Sequence, residues 1–383
     1  MATPTFASWS RSADVRLLIA GGGTGGHLYP GIALADEVVR RGGGDVLFVG
    51  TLRGLEARAV PAAGYALETL EVSGLKRMGL LRTLRGLFRL PLAVIKSFAI
   101  LRRFRPDIVV GVGGYASGPV VLAAALSGYP TAIQEQNSVP GITNRTLGRL
   151  VRTVFIAFED AAPFFPARKI ERLGNPVRQK IVAALQGASQ GVGQAVDSPQ
   201  RLSILVVGGS QGARAVSDLV MGAVVLLSSQ HLDFFLVHQT GSADRERIQE
   251  HYRSLGLASQ VAVKDFIDDM AMAYGQADLV IARAGALTLA ELAIAAKPAI
   301  LIPLPTAADD HQSKNAARFA EAGAAVMFDQ RSGDAERLAA TIRSLAGDGQ
   351  RRAQMSQAMQ RLAYPRAAQA IVDRLEAMTA RRR

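Results

Sequence analysis

VRLLIAGGGTGGH (residues 15–27) and LSILVVGGSQGAR (residues 202–214) superimpose without a gap. Each is an apolar run of strand length, two shared glycines, a third glycine three residues on, and then His27 or Arg214. A short apolar run without alternation suits a strand buried on both faces, as in a parallel sheet. Glycines at its end suit a tight strand-to-helix turn. The same unit twice in one chain predicts an α/β protein with two Rossmann-like domains, each opening on a glycine-rich turn.

The flanking sequence extends both halves in the same way. PGIALADEVVRR (30–41) is a helical pattern, and strands are expected at 46–49, 108–110, 131–133 and Thr153–Ile156. In the second half they are expected at 234–238, 261–263, Leu279–Ala282 and 299–303. The uncharged run 108–134 is long enough to span a bilayer, but its five Gly and two Pro stand where strand, loop, helix, loop and strand would need them. The expected organisation is a flexible tail over 1–13, an N-terminal domain over 14–175 and a C-terminal domain over 176–363. GNPVR (174–178) is the hinge turn, and a Gln/Gly/Ser/Ala-rich surface loop or frayed helix end lies near 183–200. Residues 364–383 form a last helix that packs back on the N-terminal domain.

Composition narrows the function. With 383 residues, 49% hydrophobic and 20% charged, the chain has enough apolar material for two cores and is not disordered. It has no Cys, which excludes disulfides, thiolate zinc sites, iron–sulfur clusters and a cysteine nucleophile. The opening residues hold no apolar stretch before the first strand, so no signal peptide is expected. The net charge of +12 is uneven: residues 1–178 carry 22 basic and 12 acidic side chains, residues 179–383 carry 22 and 20. The first half therefore suits an anionic partner: nucleic acid, a membrane surface or a phosphorylated substrate.

The glycine turns point to phosphate. Glycine lets backbone N–H groups approach an anion at a positive helix N-terminus. Gly21-x-Gly23-x-x-Gly26 also matches the dinucleotide fingerprint, but that mechanism needs an acid at the end of the second strand, and there the chain has Gly50-Thr51. NAD is disfavoured, and no P-loop occurs. His27, at the start of the first helix, is a candidate general base. The remaining histidines show no metal-ligand spacing, so no metal site and no cofactor are expected.

GGGTGGHLYPGIALA (21–35), GVGGYASGP (111–119), QEQNSVPGITNR (134–145), GNPVR, GGSQGAR, RAGALTLAEL (283–292) and DDHQSKNA (309–316), taken together, closely resemble the MurG family. These bacterial N-acetylglucosaminyltransferases make lipid II from lipid I. The resemblance runs in family order over nearly the whole chain. It implies the GT-B fold, two Rossmann-like domains with parallel sheets facing a central cleft. It also implies an inverting, metal-free transfer of GlcNAc from UDP-GlcNAc to the 4-hydroxyl of the lipid-linked MurNAc, in peptidoglycan synthesis. For UDP-GlcNAc it implies Ser210, Ile267, the stretch Ala286, Leu287, Thr288, Leu289, Ala290 and Glu291, and Gln312 on the C-terminal domain. From the N-terminal side it implies Thr24, Gly25, Gly26, Asn137 and Arg178. Glu291 would grip the ribose hydroxyls, Ile267 would meet the uracil through its backbone, and Ser210 and Arg178 would hold the diphosphate. His27 is the first choice of base and Glu135 the second, both from loops on the acceptor side, with Tyr115 placing the acceptor. Gln134 and Ala284 depart from the family's usual residues, as does His311 beside Gln312.

Between Glu71 and Asp107 there is no acid but nine basic residues, interleaved with leucines and phenylalanine. Arg82, Arg85, Leu87, Phe88 and Arg89 read as an element docking on an anionic membrane surface. A core helix with a solvated basic face is the alternative. The segment has few aromatic residues and no nucleic-acid module, so no nucleic acid is expected. The expected location is peripheral, on the cytoplasmic face of the inner membrane, with contacts to other cell-wall synthesis proteins. A UDP-GlcNAc epimerase, which shares the fold and the sugar nucleotide, remains an alternative.

Overall fold

The computed structural model describes residues 15–52, 54–72, 80–189, 201–209 and 212–380, with the side chains of 80–89, 187–189 and 380 left aside. The expected tail over 1–13 and most of the loop near 183–200 lie outside the described residues. The chain forms two compact units. One comprises the described residues up to Gln136, then Pro140–Gln179 and those from Arg366 onward; the other comprises Asn137–Val139 and Lys180–Pro365.

The first unit is built on seven strands: β1 (Leu17–Gly21), β2 (Val46–Thr51), β3 (Ala66–Leu70), β4 (Ile108–Gly113), β5 (Thr131–Glu135), β6 (Thr153–Ile156) and β7 (Ile170–Arg172). Helices α1 (Gly25–Arg40), α2 (Glu56–Ala62), α3 (Leu80–Phe104), α4 (Ser117–Leu126) and α5 (Ile142–Leu147) connect them. The sheet is parallel, in the order β3-β2-β1-β4-β5-β6-β7, with Leu17 registered against both Val46 and Ile108. Chain order reverses between β1 and β4, the switch point where open α/β sheets bind ligands.

Residues α6 (Gln179–Ser189), β8 (Leu202–Val207), α7 (Arg214–Ser229), β9 (Phe234–Gln239), α8 (Arg245–Ser254), β10 (Val261–Lys264), α9 (Met270–Gln276), β11 (Leu279–Ala282), α10 (Ala286–Ala295), β12 (Ala299–Leu301), α11 (His311–Glu321), β13 (Ala325–Met327), α12 (Ala335–Ala346) and α13 (Gly349–Arg361) follow. Their sheet is also parallel, in the order β10-β9-β8-β11-β12-β13, with its switch point between β8 and β11. The last helix, α14 (Ala367–Ala380), belongs to the first unit.

The unalternating apolar strands are explained by burial on both faces. In β1, Leu18 and Ala20 pack with α3 and α4 residues such as Leu101, Phe104 and Val121. Leu17 and Ile19 face the other way, onto Leu28 and Ile32 of α1 and Ile371, Val372 and Leu375 of α14. Each such side chain contributes about 1.5–3 kcal/mol by leaving water. The run 108–134 is β4, α4 and β5. Among the described residues no helix is long and apolar enough to cross a membrane.

Polar contacts flank the buried face of α14 along its middle turns. Arg41 bonds Asp373 at 2.7 Å and Glu376 at 3.0 Å, and Arg374 grips Glu171 through two bonds of 2.6 and 2.7 Å. These groups are largely exposed, so each pair contributes about 0–1 kcal/mol; the buried apolar face dominates. Ile371→Ala is therefore expected to destabilise the first unit by about 2–5 kcal/mol, and Arg374→Ala by at most about 1 kcal/mol. Native-state hydrogen exchange of the β1 amides measures both.

Candidate active site

At the first switch point the ends of β1 and β4 pass so closely that side chains are excluded. Gly22 N–H donates to the Gly113 carbonyl at 3.2 Å, and a Cβ on Gly21 would stand 2.4 Å from that same oxygen. A Cβ on Gly114 would stand 2.3 Å from the Gly22 carbonyl. Three glycines are the steric condition for this crossing, and Gly21, Gly113 and Gly114 all have positive φ.

The crossing places His27 over Gly113, where a Cβ would approach its Nδ1 to 2.8 Å. Nδ1 lies 2.9 Å from Gln136 Oε1. Gln136 is fully buried, and its amide nitrogen donates to the carbonyls of Val112 (2.9 Å) and Gln134 (3.2 Å). That orientation leaves Oε1 as an acceptor, so His27 donates from Nδ1 and Nε2 is the ring's proton acceptor. Desolvation lowers the His27 pKa below the usual histidine value, against the opposing pull of Gln136 and the Val112 carbonyl. The imidazole is thus neutral at neutral pH.

Other residues expected at this end are placed as follows. Thr24 precedes α1, with Gly25 and Gly26 in its first turn, and Thr24 and Gly26 are exposed. Tyr115 is half exposed in the turn between β4 and α4. Arg178 lies over the Tyr29 ring, 4.9 Å from its centroid. Glu135 differs from its expected setting: it is the last residue of β5, buried, and its Oε2 accepts from Asn144 Nδ2 at 2.8 Å. It continues a buried strand because the parallel register reaches it, pairing with Ile156.

The second unit closes its glycine turn differently. Gly212 N–H donates to the Gly209 carbonyl, and a Cβ on Gly212 would stand 2.0 Å from the Thr240 carbonyl, so this turn leans on the end of β9. Ser210 lies outside the described residues. Ala286–Glu291 form the first turns of α10, capped by Gly285. Glu291 is buried, and the Tyr274 hydroxyl donates to its Oε2 at 3.1 Å. Ile267, also buried, follows β10 and lines a cavity of about 560 Å³ together with Met272, Phe235 and Ser203. Gln312, in α11, accepts from Leu304 N–H at 3.0 Å. Asn137 Oδ1 accepts from Asn315 Nδ2 at 3.3 Å.

Several organising residues were not singled out from the sequence. Asn315 is fully buried, accepts from the Ser138 amide and hydroxyl, and donates to the Ala284 carbonyl. Arg283 is buried and donates to the Ile302 and Pro303 carbonyls, and desolvation lowers its pKa. The only sequence signal for Arg283 is a lone cation inside LVIARAGALTLA. Tyr274 and Gln136 carry none. Among the described residues, no group of three or more His, Asp or Glu is placed to hold a metal ion.

Two parallel α/β units, each with a glycine turn after its first strand, define a protein of the nucleotide-binding α/β class, and comparison with known proteins decides which. Residues 17–156 match the glycosyltransferase family 28 N-terminal domain and residues 203–371 its C-terminal domain. The chain is 50% identical over 360 residues to the UDP-N-acetylglucosamine–N-acetylmuramyl-(pentapeptide) pyrophosphoryl-undecaprenol N-acetylglucosamine transferase of Myxococcus xanthus, covering 94% of this chain and 92% of that one. It is 46% identical to the protein of that name from Geobacter sp. strain M21, covering 94% and 95%. The crystal structure of Acinetobacter baumannii MurG superimposes with a TM-score of 0.75 at 30% identity, covering 95% of this chain and 99% of that one. A UDP-GlcNAc 2-epimerase from Neisseria meningitidis, at 14% identity and a TM-score of 0.64, shares the fold alone. The chain belongs to glycosyltransferase family 28 and, within it, to the MurG enzymes.

The core of the second unit carries its own pH dependence. His238 is fully buried between Ser217 and Tyr252, each 3.1 Å from a ring nitrogen. Burial, aided by the positive Arg247, pushes its pKa down to about 4 from 6.5. The folded state therefore binds fewer protons than the unfolded state between those values, and stability is lost as pH falls through that window. The expected loss between pH 6.5 and pH 4 is about 3 kcal/mol. Calorimetric unfolding across this range should show that the slope attributable to His238 disappears in His238→Gln.

Proposed function

We propose that this chain transfers N-acetylglucosamine from UDP-GlcNAc to the 4-hydroxyl of the MurNAc of undecaprenyl-diphospho-MurNAc-pentapeptide, releasing UDP. The observation that carries the reading is half identity over 94% of the chain to a protein named for that transfer. The lipid II that results is a peptidoglycan precursor.

The second unit holds the donor. Glu291, oriented by Tyr274, accepts the ribose hydroxyls. Ile267 offers main-chain groups to the uracil, and the N-terminus of α10 faces the charged or hydroxyl-bearing part of the donor with its positive dipole end. Ser210 and Asn137 add to the donor groups of this unit, with Gln312 for the sugar; the first unit offers Arg178 and the turn Thr24–Gly26. In the first unit His27 Nε2 takes the proton of the acceptor hydroxyl as its oxygen bonds to the anomeric carbon. The bond from that carbon to the β-phosphate oxygen breaks, and UDP departs from the opposite face with the electron pair. Main-chain amides and Arg178 stabilise the departing charge. Glu135, engaged by Asn144 within the core, supports the shape of this end better than it serves as a base. Tyr115, being exposed, is suited to placing the acceptor.

The enzyme works as a peripheral protein on the cytoplasmic face of the inner membrane. Support comes from α3, whose inner face carries Ala93, Ile100, Leu101 and Phe104 and whose outer face exposes Leu92, Ile95 and Phe98. Lys96 donates to the Thr69 carbonyl and Arg103 pairs with Glu68, so these two cations fasten α3 to β3. The exposed Leu92, Ile95 and Phe98 suit contact with lipid. Arg82, Arg85, Leu87, Phe88 and Arg89 lie on this helix, with side chains outside the described set.

Glu291→Ala should weaken UDP binding at least about tenfold by calorimetry. His27→Ala should leave that affinity within about twofold while turnover falls about 10²–10⁴-fold. Because His27 must be neutral to accept a proton, the acid limb of the wild-type rate profile should fall below pH 6.5. Turnover without a lipid-linked acceptor, converting the sugar nucleotide itself, would instead indicate an epimerase. Leu92→Glu/Ile95→Glu should reduce sedimentation with anionic liposomes severalfold, and unchanged sedimentation would remove the outer face of α3 from the membrane contact.

A further inference from the structure

The acid that a dinucleotide-binding fold places at the end of its second strand is missing at Gly50-Thr51, yet five residues later the chain has Glu56, the first residue of α2. Its side chain is fully buried. Glu56 Oε2 accepts from Gly23 N–H at 2.7 Å, and Oε1 accepts from the Thr51 N–H at 2.8 Å and the Thr51 hydroxyl at 2.6 Å. Three glycines make room for it. A Cβ on Gly22 would stand 2.4 Å from its Cδ, one on Gly50 2.5 Å from its Cγ, and one on Gly54 2.2 Å from its Oε2. Desolvation raises the carboxyl pKa, but the Thr51 hydroxyl and the Gly23 and Thr51 amides outweigh it, and the group is held ionised.

The first glycine turn is therefore an anion site that already contains its anion. We infer that Glu56 is a positioning residue: its carboxylate packs against Gly22 and takes the Gly23 amide of the turn, fixes the peptide that launches α1, and so sets the place of Thr24 and His27. A diphosphate approaching this end finds the Gly23 amide engaged by a negative charge, so phosphate recognition in this unit begins at Thr24. The two glycine turns that superimpose in sequence thus differ in kind. In the second unit the described residues of the turn lean on a backbone carbonyl of β9, and no carboxylate is bonded to the Gly209 or Gly212 amide among the described residues.

The consequence for turnover rests on the transferase reading; the consequence for the turn does not. Glu56→Gln is isosteric, but its amide nitrogen must face either the Gly23 N–H or the two Thr51 donors, leaving at least one buried donor unsatisfied. Exchange of the Gly23 amide proton, followed by NMR, should be slow in the wild type and at least about tenfold faster in Glu56→Gln and Glu56→Ala. With UDP-GlcNAc and a lipid I analogue, kcat should fall about 10–100-fold, well beyond any change in UDP affinity, and the melting temperature of Glu56→Gln should fall by only a few degrees. Glu56→Asp, one methylene shorter, should not restore kcat. Fast Gly23 exchange in the wild type, or undiminished kcat in both Glu56→Gln and Glu56→Ala, overturns the inference. Loss of UDP affinity in parallel with melting temperature also overturns it, by assigning Glu56 a general folding role. A wild-type protein that binds UDP but transfers nothing to the lipid would sink the transferase reading while the Gly23 measurement still stood.

Discussion

Two stretches of backbone, at the ends of β1 and β4, approach each other within hydrogen-bonding distance, and only glycine permits it. Much of the active end of the first unit depends on that contact. It brings the start of α1 down onto the sheet, lays the His27 ring over Gly113, and lets Gln136 reach the ring from β5. A side chain at Gly21 or Gly114 would force the two turns apart by about an ångström, because the atom it would meet is main chain and cannot rotate away, and one at Gly113 would push into the His27 ring. The geometry around His27 is therefore set by the absence of atoms as much as by the groups that line it.

The fold was legible because the central strands of a parallel sheet must be apolar on both faces. Leu17–Gly21, Ile108–Gly113 and Leu202–Val207 are such strands, and the helices beside them bury the alternate residues of each. The strands left unread, Ala66–Leu70, Ile170–Arg172 and Ala325–Met327, are all sheet edges. An edge strand has a solvated side and can be short, so ALETL and IER carry no apolar run for a sequence to display. The site divides in the same way. Glycine turns and a histidine at a helix start announce themselves through local spacing. Gln136, Tyr274, Asn315 and Glu56 each have a partner 17 to 178 residues away, and no local spacing shows that pairing.

The basic charge of the first half is also only partly what it looked like. Arg103 and Lys96 fasten α3 to the edge strand β3, whose Glu68 precedes the acid-free stretch, and Arg41 and Arg374 hold α14. These cations have structural partners. The apolar residues exposed beside them on α3 are less easily explained by solvation, since Leu92 and Ile95 are each about two-thirds exposed.

The proposal that the second unit holds the nucleotide sugar places it between Ile267, beyond the edge strand β10, and the start of α10, beside the switch point. Hydrogen–deuterium exchange of the full chain, read peptide by peptide with and without UDP-GlcNAc, addresses it directly. Slowed exchange concentrated in 264–268 and 284–292 is the expected result. Unchanged exchange in both stretches at saturating UDP-GlcNAc would contradict it.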